Sequence, residues 1–224
     1  MSIHKAWQWT QNTSKGWYTP SEEAYYLVHR WKNKGYTAFL DLGCGLGRHS
    51  FLFAQNGFTV DACDLSKSAV DEVKRRAQEE HMNVSATTAD MDALPYDQNS
   101  FDCLLAYHVI SHTDTAGIKK IVAQIKRVLK PDGEYFVTLC SKNTWSYKEA
   151  GFPVHDENTV IKIEDGPENG IPHFFADETI VYNLFSKEEL ISVKHTQELI
   201  VDGKDYGSWH YFVLGKKNKN AATV

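Results

Sequence analysis

The stretch Phe39-Leu40-Asp41-Leu42-Gly43-Cys44-Gly45-Leu46-Gly47-Arg48 carries the strongest fold signal in this chain of 224 residues. An apolar strand leads into three glycines at alternate positions, and a helical pattern begins at Arg48. Glycine lets the backbone turn sharply and approach a ligand closely, and a helix N-terminus offers free N–H groups to an anion. A Gly-x-Gly-x-x-Gly fingerprint fails because position 48 is arginine, so the spacing disfavours a nicotinamide or flavin loop.

Short apolar runs alternate with amphipathic segments of helix length from residue 37 to residue 140. Nearly continuous apolar runs are typical of strands that are covered on both faces. The pattern predicts strands at Thr37–Leu42, Phe58–Cys63, Val84–Thr88, Phe101–Tyr107 and Tyr135–Cys140. Between them it predicts helices at Arg48–Asn56, Lys67–His81 and Ala116–Leu129. Such alternation gives an α/β fold with a doubly wound, mostly parallel sheet and helices on both faces.

The pattern changes after residue 140, where few helical signals remain up to residue 184. Two β-like runs, Thr159–Ile163 and Pro172–Ala176, flank a turn-rich segment and predict a hairpin inserted in the main fold. The stretch Ser186-Lys187-Glu188-Glu189 is a capping box, which predicts another helix. Two later runs, Gln197–Val201 and Trp209–Leu214, predict an antiparallel pair of strands joined by the loop 202–207.

Composition is that of an ordinary soluble globular protein. The chain has 24 Lys and Arg against 29 Asp and Glu, a formal net charge of -5, which argues against a chain built mainly to bind nucleic acid. No apolar run approaches the roughly 18–20 residues of a membrane span, and residues 1–9 lack the apolar stretch of a secretory signal. Four widely spaced cysteines are expected to be buried thiols in a reducing compartment, Cys44, Cys63, Cys103 and Cys140. We expect a cytoplasmic protein.

Three more features lie at the ends of predicted strands. Asp64 ends the second strand, where a carboxylate accepts both hydroxyls of a ribose or, alternatively, assists Ser66 in capping the next helix. Asp90-Met91 follows the third strand, where it would recognise a purine or form an exposed loop. Phe101–His108 places side chains at the carboxyl end of the fourth strand, and open α/β sheets bind ligands at that edge.

Together these residues resemble the class I S-adenosylmethionine-dependent methyltransferases. The matching pieces are Asp41–His49, Asp64, Asp90-Met91, Phe101-Asp102 and Leu129–Gly133, so the resemblance covers about residues 37–140. The chain is similar to small-molecule members of the family, among them tellurite-resistance-like methyltransferases. The resemblance implies a Rossmann-like sheet of seven strands whose last strand is antiparallel.

The resemblance also implies S-adenosylmethionine as the cofactor, with S-adenosylhomocysteine as its product. The glycines would contact the methionine part, and Asp41 would orient its amino group. Asp64 would hold the ribose and Asp90-Met91 the adenine, while Tyr107-His108 would flank the sulfonium and the substrate entrance. The implied cofactor-binding set is Asp41, Gly43, Gly45, Gly47, Asp64, Leu65, Asp90, Met91 and Tyr107.

Methyl transfer from a sulfonium is an in-line displacement, so alignment matters most and a base is needed only when the acceptor arrives protonated. His108 and His112 follow the fourth strand, and we expect one of them, His112 in the first place, to act as a base or to orient the acceptor. The alternative is a histidine beside a helix start that is capped near Thr113 or Asp114. A metal site formed by His108, His112 and Asp114 would need a helix at this spacing, and we expect no metal.

The acceptor is expected to be a small molecule. Aromatic walls suit an organic acceptor or a thiol, although each wall residue is also consistent with core packing or an exposed position. The expected wall residues are Trp17, Tyr18, Trp145, Tyr147, Phe152, His155, His173, Trp209 and His210. The stretch His173-Phe174-Phe175 is alternatively a dimer interface, because an exposed hairpin pairs readily with a second copy. We therefore expect a monomer or a homodimer, with no membrane partner.

These expectations divide the chain into five parts. Residues 1–36 form an N-terminal helical lid segment with a helix at Glu22–Lys34, and residues 37–140 form the cofactor-binding core. Residues 141–184 form an inserted cap or dimer region. Residues 185–215 complete the core sheet, and residues 216–224 form a flexible tail.

Two alternatives stay open. A methyltransferase acting on RNA or protein would place Lys and Arg around the pocket, whereas Lys74-Arg75-Arg76 lies on a predicted helix and Lys216-Lys217 in the tail. Nucleic acid is therefore not the acceptor that we expect. The second alternative is a protein that binds S-adenosylmethionine without catalysing methyl transfer, because cofactor contacts alone do not establish turnover.

Overall fold

The computed structural model describes residues 2–3, 5–7, 9, 15–201 and 204–218. The strands are β1 (Ala38–Leu42), β2 (Thr59–Asp64), β3 (Val84–Thr88), β4 (Phe101–Ala106), β5 (Leu129–Ser141), β6 (Val154–Asp156), β7 (Thr159–Ile161), β8 (Pro172–Ala176), β9 (Leu190–Val201) and β10 (Lys204–Lys216). The helices are α1 (Glu22–Asn33), α2 (Arg48–Gln55), α3 (Lys67–Glu79), α4 (Thr115–Val128), α5 (Trp145–Lys148) and α6 (Glu178–Leu184), and Lys15–Tyr18 forms a 3-10 helix.

Seven of these strands form a central sheet in the order β3-β2-β1-β4-β5-β10-β9. Neighbours pair in parallel except for β10, which is antiparallel to both β5 and β9. The expected Rossmann-like sheet with an antiparallel last strand is therefore confirmed. Because β1, β2 and β4 are parallel, their carboxyl ends meet at one edge of the sheet, where α/β folds bind ligands.

The helices and strands predicted between residues 37 and 140 are present, and most of their ends differ by one or two residues. The largest difference is β5, which begins at Leu129 because this residue pairs with Phe101 before the register shifts. Helix α4 begins at Thr115 because the carboxylate of Asp114 accepts the N–H of Gly117 at 2.7 Å. Its apolar residues recur at helical spacing and are buried against the sheet, Ile118, Ile121, Val122, Ile125 and Val128.

The inserted region forms a small sheet attached to the end of β5. The predicted hairpin is confirmed, since β7 and β8 are antiparallel with Thr159 opposite Phe174. The sequence did not predict β6, which pairs with β7, or the contact between Phe175 of β8 and Cys140 of β5. The side chains of His173, Phe174 and Phe175 are buried within the chain and offer no surface to a second copy.

The prediction of a helix after Ser186 is wrong. The carboxylate of Glu189 accepts the Ser186 N–H at 3.1 Å and the Lys126 ammonium at 2.8 Å, but the chain makes one turn and enters β9. Pairing with β10 outweighs the local helix signal. The antiparallel pair is confirmed and is longer than predicted, because residues 204–207 of the expected loop belong to β10. Residues 202–203, like 219–224 of the tail, lie outside the described residues.

Helix α1 confirms the predicted helix near Glu22 and packs against the sheet. Trp31 lies beside Phe53, with ring centroids 5.6 Å apart, and donates from its indole N–H to Glu134 at 2.9 Å. The buried Glu134 carboxylate also accepts two hydrogen bonds from Arg30, each 2.8 Å long. This charged contact fixes α1 on the central strands. Within the described residues, no helix combines the length and the apolarity that crossing a bilayer requires.

Candidate functional site

A cavity of about 450 Å³ lies at the carboxyl ends of β1, β2 and β4. That volume is within the range of small-molecule sites, which is roughly 300–1,000 Å³. The cavity extends from the glycine loop after β1 towards the strands β9 and β10, and residues of the N-terminal segment and of the insertion line it as well. The structure therefore brings sequence-distant residues together around one cavity.

The glycine loop passes close to two bulky side chains. A Cβ atom on Gly43 would lie 2.2 Å from the side chain of Val109, and one on Gly45 would lie 2.6 Å from the ring of Trp9. Both glycines also have positive φ angles, of 72° and 51°. Each position therefore requires glycine on steric as well as conformational grounds. Gly43 and Gly45 line the cavity, whereas Gly47 does not.

Asp64 joins the end of β2 to this loop. One carboxylate oxygen accepts the N–H of Ser66 at 2.8 Å and the other accepts the N–H of Gly45 at 2.9 Å. Burial raises the pKa of Asp64, and these hydrogen bonds oppose the rise. Asp64 thus accepts a backbone N–H at the start of α3 and also lines the cavity. Since each carboxylate oxygen has further lone pairs, it remains able to accept ligand hydroxyls.

Asp41 lies beneath the loop rather than in the cavity wall. Its carboxylate accepts the hydroxyl of Ser50 at 2.5 Å, and burial raises its pKa to about 6. Asp41 therefore supports the loop from inside the protein. The other implied cofactor residues, Leu65, Asp90, Met91 and Tyr107, do line the cavity. One oxygen of Asp90 accepts the N–H of Asp92 at 3.1 Å.

His108 is held in an uncommon backbone conformation, with a φ angle of 53°. Its N–H donates to the hydroxyl of Thr138 on β5 at 2.6 Å, and its ring stacks on Tyr107 with centroids 4.4 Å apart. The guanidinium of Arg48 lies 5.5 Å from the Tyr107 ring centroid. A strained, non-glycine residue fixed in a cavity is typical of functional sites.

His112 lies in the turn before α4 and lines the cavity. Its ring stacks on Trp7 at 5.5 Å, and its Nε2 atom is 3.9 Å from a carboxylate oxygen of Glu168. Burial, together with nearby His173, lowers the pKa of His112 to about 3. The imidazole is therefore neutral at physiological pH and suited to accepting a hydrogen bond, but it is a weak base.

The N-terminal tryptophans lie together over the glycine loop. Trp7, Trp9 and Trp17 line the cavity, and their ring centroids are 5.2–5.3 Å apart. Of the other expected wall residues, His173 and His210 also line it. The structure places the remaining ones outside the lining, Tyr18, Trp145, Tyr147, Phe152, His155 and Trp209.

Besides Arg48 of the glycine loop, the lining has four charged residues that sequence reasoning missed, Lys5, Lys162, Glu168 and Glu198. The ammonium of Lys162 binds the carboxylate of Glu168. Burial raises the pKa of Glu168, but the hydrogen bond from His173 and then the charge of Lys162 outweigh burial and lower the pKa. Lys162 and Glu168 flank the predicted hairpin turn, and Glu198 lies on a mostly exposed strand. No local pattern distinguishes them from surface charges.

Among the residues that the structure describes, two groups of side chains have ligand types and separations that suit a metal ion. In each, one ligand atom per residue lies within 4.8 Å of the others. The first group is His108, Glu198 and His210, and the second is His112, Glu168 and His173. In the first, burial lowers the pKa of His210, but Cys140 and Glu198 outweigh it and raise the pKa to about 9.

Comparison with known proteins agrees with this geometry. Residues 39–133 match the family model described as "Methyltransferase domain". The chain is 27% identical over 108 residues to a ubiquinone biosynthesis O-methyltransferase from Coxiella burnetii, covering 48% of this chain and 45% of that protein. It is 29% identical over 139 residues to the malonyl-[acyl-carrier protein] O-methyltransferase of Salmonella typhimurium, covering 62% and 52%. The chain thus spans about half the length of the curated relatives it matches.

A solved structure gives the same fold. A SAM-dependent methyltransferase from Methanosarcina mazei superposes with a TM-score of 0.72 at 18% identity, covering 86% of this chain and 97% of that one. Residues 39–133 therefore resemble a methyltransferase domain in sequence, the chain shares the fold of a solved methyltransferase, and both findings confirm the resemblance inferred from the motifs.

Proposed function

We propose that this chain transfers a methyl group from S-adenosylmethionine to a small-molecule acceptor. One observation carries the proposal. A single cavity contains the glycine loop, the carboxylate of Asp64, the pair Asp90-Met91 and the strained His108. The two O-methyltransferase relatives support the same chemistry.

In this proposal each lining residue has one task. Gly43 and Gly45 accommodate the methionine part of the cofactor, and Asp64 accepts the ribose hydroxyls. Asp90 accepts from the adenine amine, Met91 and Leu65 pack on the ring, and Tyr107 lies near the sulfonium. Asp41 and Gly47, which lie outside the cavity lining, act through the loop that they support.

The reaction is an in-line displacement. A lone pair on the acceptor forms a bond to the methyl carbon, and the bond from that carbon to the sulfonium breaks. The electron pair remains on sulfur, which gives S-adenosylhomocysteine, and the acceptor loses any proton to solvent or to a base. Holding the reactants in line supplies most of the acceleration, and the tryptophans exclude water from the cavity.

The acceptor binds between His112 and the glycine loop. Neutral His112 orients it by accepting a hydrogen bond, because a group with a pKa of about 3 is a weak base. A small acceptor agrees with the cavity volume of about 450 Å³ and with the net charge of -5. The four free cysteines agree with a cytoplasmic location.

Calorimetry tests the cofactor first. S-adenosylmethionine and S-adenosylhomocysteine should bind with one site per chain, and NAD should not bind. The variant Asp64→Asn should bind more weakly, whereas Asp61→Asn, on the same strand but outside the cavity lining, should bind like the original chain. Absence of binding by the unchanged protein would refute the proposal.

A screen for released S-adenosylhomocysteine then tests catalysis. Small thiols, amines, hydroxy compounds and chalcogen oxyanions are the acceptors to try, with a tRNA mixture and a peptide library as comparison sets. Turnover of a small molecule supports the proposal. Turnover confined to RNA or peptides would contradict the acceptor class, and cofactor binding without turnover of any set would identify a non-catalytic module.

A further inference from the structure

Three buried polar atoms with no hydrogen-bond partner among the described residues meet at the far side of the cavity. They are Nε2 of His108, Oε2 of Glu198 and Nδ1 of His210. One ligand atom from each of these residues lies within 4.8 Å of the others, and Oε2 of Glu198 is 3.5 Å from Nδ1 of His210. Buried polar atoms without partners are rare because each costs desolvation free energy. Their convergence indicates a ligand that satisfies all three.

Sheet register holds two of these side chains on one face. Glu198 of β9 lies opposite Ser208 of β10, and His210 is two residues further along β10. Side chains two residues apart share a face, so Glu198 and His210 are diagonal neighbours. His210 is 5% exposed, which limits the freedom of its ring.

The third side chain follows a strand that only β5 separates from β10. His108 follows β4, and its backbone is fixed by the bond to Thr138. Its ring lies 4.3 Å from that of His210, measured between centroids. A proton shared by His210 and Glu198 would satisfy those two residues alone. If Nε2 of His108 carries a lone pair, that lone pair would still have no donor. If Nε2 carries a proton, its N–H would lie beside the N–H of His210.

We propose that His108, Glu198 and His210 form a divalent metal site of the zinc type. Two imidazoles and one carboxylate, with a fourth position open to a cavity, are typical of catalytic zinc sites. Ligand atoms in such a tetrahedron lie roughly 3.3 Å apart, at bond lengths of about 2.0–2.2 Å. The 3.5 Å between Glu198 and His210 is already close to that separation, and the side chain of Glu198 is more exposed and thus more adjustable than that of His210. One negative carboxylate partly compensates the ion's charge.

The second group is less suited to the ion. Glu168 already binds the ammonium of Lys162, and a metal would have to share its carboxylate with that cation. The Nδ1 of His173 donates to the carbonyl oxygen of Ile171 at 3.1 Å, which leaves its Nε2 3.5 Å from Glu168, so the shared carboxylate is what makes this group the weaker site. This group therefore serves as the matched comparison in the experiment.

The open position faces the space where an acceptor would lie, and this role rests on the proposed methyltransferase function. An acceptor thiol or hydroxyl that binds the metal loses its proton to solvent, since a divalent cation lowers the pKa of a coordinated group. The resulting anion then attacks the methyl carbon. The metal site thereby supplies the activation that His112 is too weak a base to give.

Zinc titration of the chelator-treated full chain tests the site without any acceptor. Calorimetry should show one tightly bound Zn²⁺, and Co²⁺ should give the visible bands of a tetrahedral site. His210→Gln and Glu198→Gln should each weaken Zn²⁺ binding by about 100-fold or more. His173→Gln should bind Zn²⁺ like the original chain. Circular dichroism should confirm that each variant is folded, and Glu198→Gln, whose side chain is partly exposed, serves if His210→Gln is unfolded.

Failure to bind Zn²⁺, or equal binding by Glu198→Gln and the unchanged chain, would overturn the proposal. Loss of Zn²⁺ binding in His173→Gln alone would place the ion in the second group, and this result would also overturn the proposal. S-adenosylmethionine titrations on the same samples keep the two proposals apart. Cofactor binding without Zn²⁺ binding refutes only the metal site, and Zn²⁺ binding without cofactor binding refutes only the methyltransferase function.

Discussion

The carboxylate of Asp64 accepts the backbone N–H of Gly45 at 2.9 Å, although 19 residues separate the two in sequence. This bond joins the end of β2 to the turn after β1. The same carboxylate also accepts the N–H of Ser66 and faces the cavity. One side chain therefore shapes the loop, begins the next helix and presents an acceptor to a ligand. Changes at Asp64 or Gly45 should affect both stability and cofactor binding.

Replacement of Asp64 by Asn should weaken S-adenosylmethionine binding by roughly 10- to 100-fold, the equivalent of ~1–3 kcal/mol for a buried group left unpaired. An amide donates at one of the two positions where the carboxylate accepts. Isothermal titration measures the affinity, and Asp61→Asn is the control on the same strand. Equal affinities of the two variants would contradict the role of Asp64.

Gly45→Ala should abolish cofactor binding, because the new Cβ would meet the Trp9 ring at 2.6 Å. Gly57→Ala is the matched control, since its φ of 89° is also positive but nothing lies within 4 Å of the added atom. Both variants should lose about 1–2 kcal/mol of unfolding free energy from backbone strain. Denaturant melts and calorimetry measure the two effects. Normal cofactor binding by Gly45→Ala would show that the loop tolerates a side chain.

Glu134→Gln should lower the free energy of unfolding by about 1–3 kcal/mol, because the buried carboxylate accepts hydrogen bonds from Arg30 and Trp31 that an amide replaces only in part. The exposed pair between Glu72 and Arg75 gives the comparison, and Glu72→Gln should cost no more than about 1 kcal/mol. Thermal unfolding monitored by tryptophan fluorescence measures both. If the two variants lose the same stability, Glu134 is not what fixes α1 to the sheet.

The stability of the folded chain should depend on pH through Asp41. Burial raises its pKa to about 6 from an ordinary 3.8, so the native state holds this proton more tightly than the unfolded state. The stabilisation is complete below the unfolded pKa and is lost as pH rises through 6. Asp41→Asn should therefore gain roughly 3 kcal/mol relative to the original chain between pH 4 and pH 7. Urea melts across that range give the difference in unfolding free energy between the two proteins. A difference that does not change with pH would contradict the raised pKa of Asp41.

His112 should remain neutral from pH 8 down to pH 5, because burial lowers its pKa to about 3. Imidazole resonances in two-dimensional NMR spectra report this directly, and the His112→Gln variant assigns the signal by its loss. A midpoint near 6.5 would show that the ring is accessible to solvent. It would also restore His112 as a candidate general base.

Local patterns predicted the core because periodicity and loop chemistry act over a few residues. Apolar runs gave β1 to β4, and the glycine loop gave the start of α2. The same logic failed at Ser186, where pairing between β9 and β10 replaced the helix. It also missed α6, although Asp177 is a good N-cap and accepts the N–H of Ile180 at 2.9 Å.

The sequence by itself determined the sheet type, the glycine loop and the position of Asp64, because strand and helix periods and turn requirements are encoded in neighbouring residues. Tertiary structure alone decided which charged and imidazole groups share the cavity. His108, Glu198 and His210 are up to 102 positions apart, and they meet because β10 pairs between β5 and β9. Register between distant strands depends on the packing of the whole sheet, so no local pattern contains it.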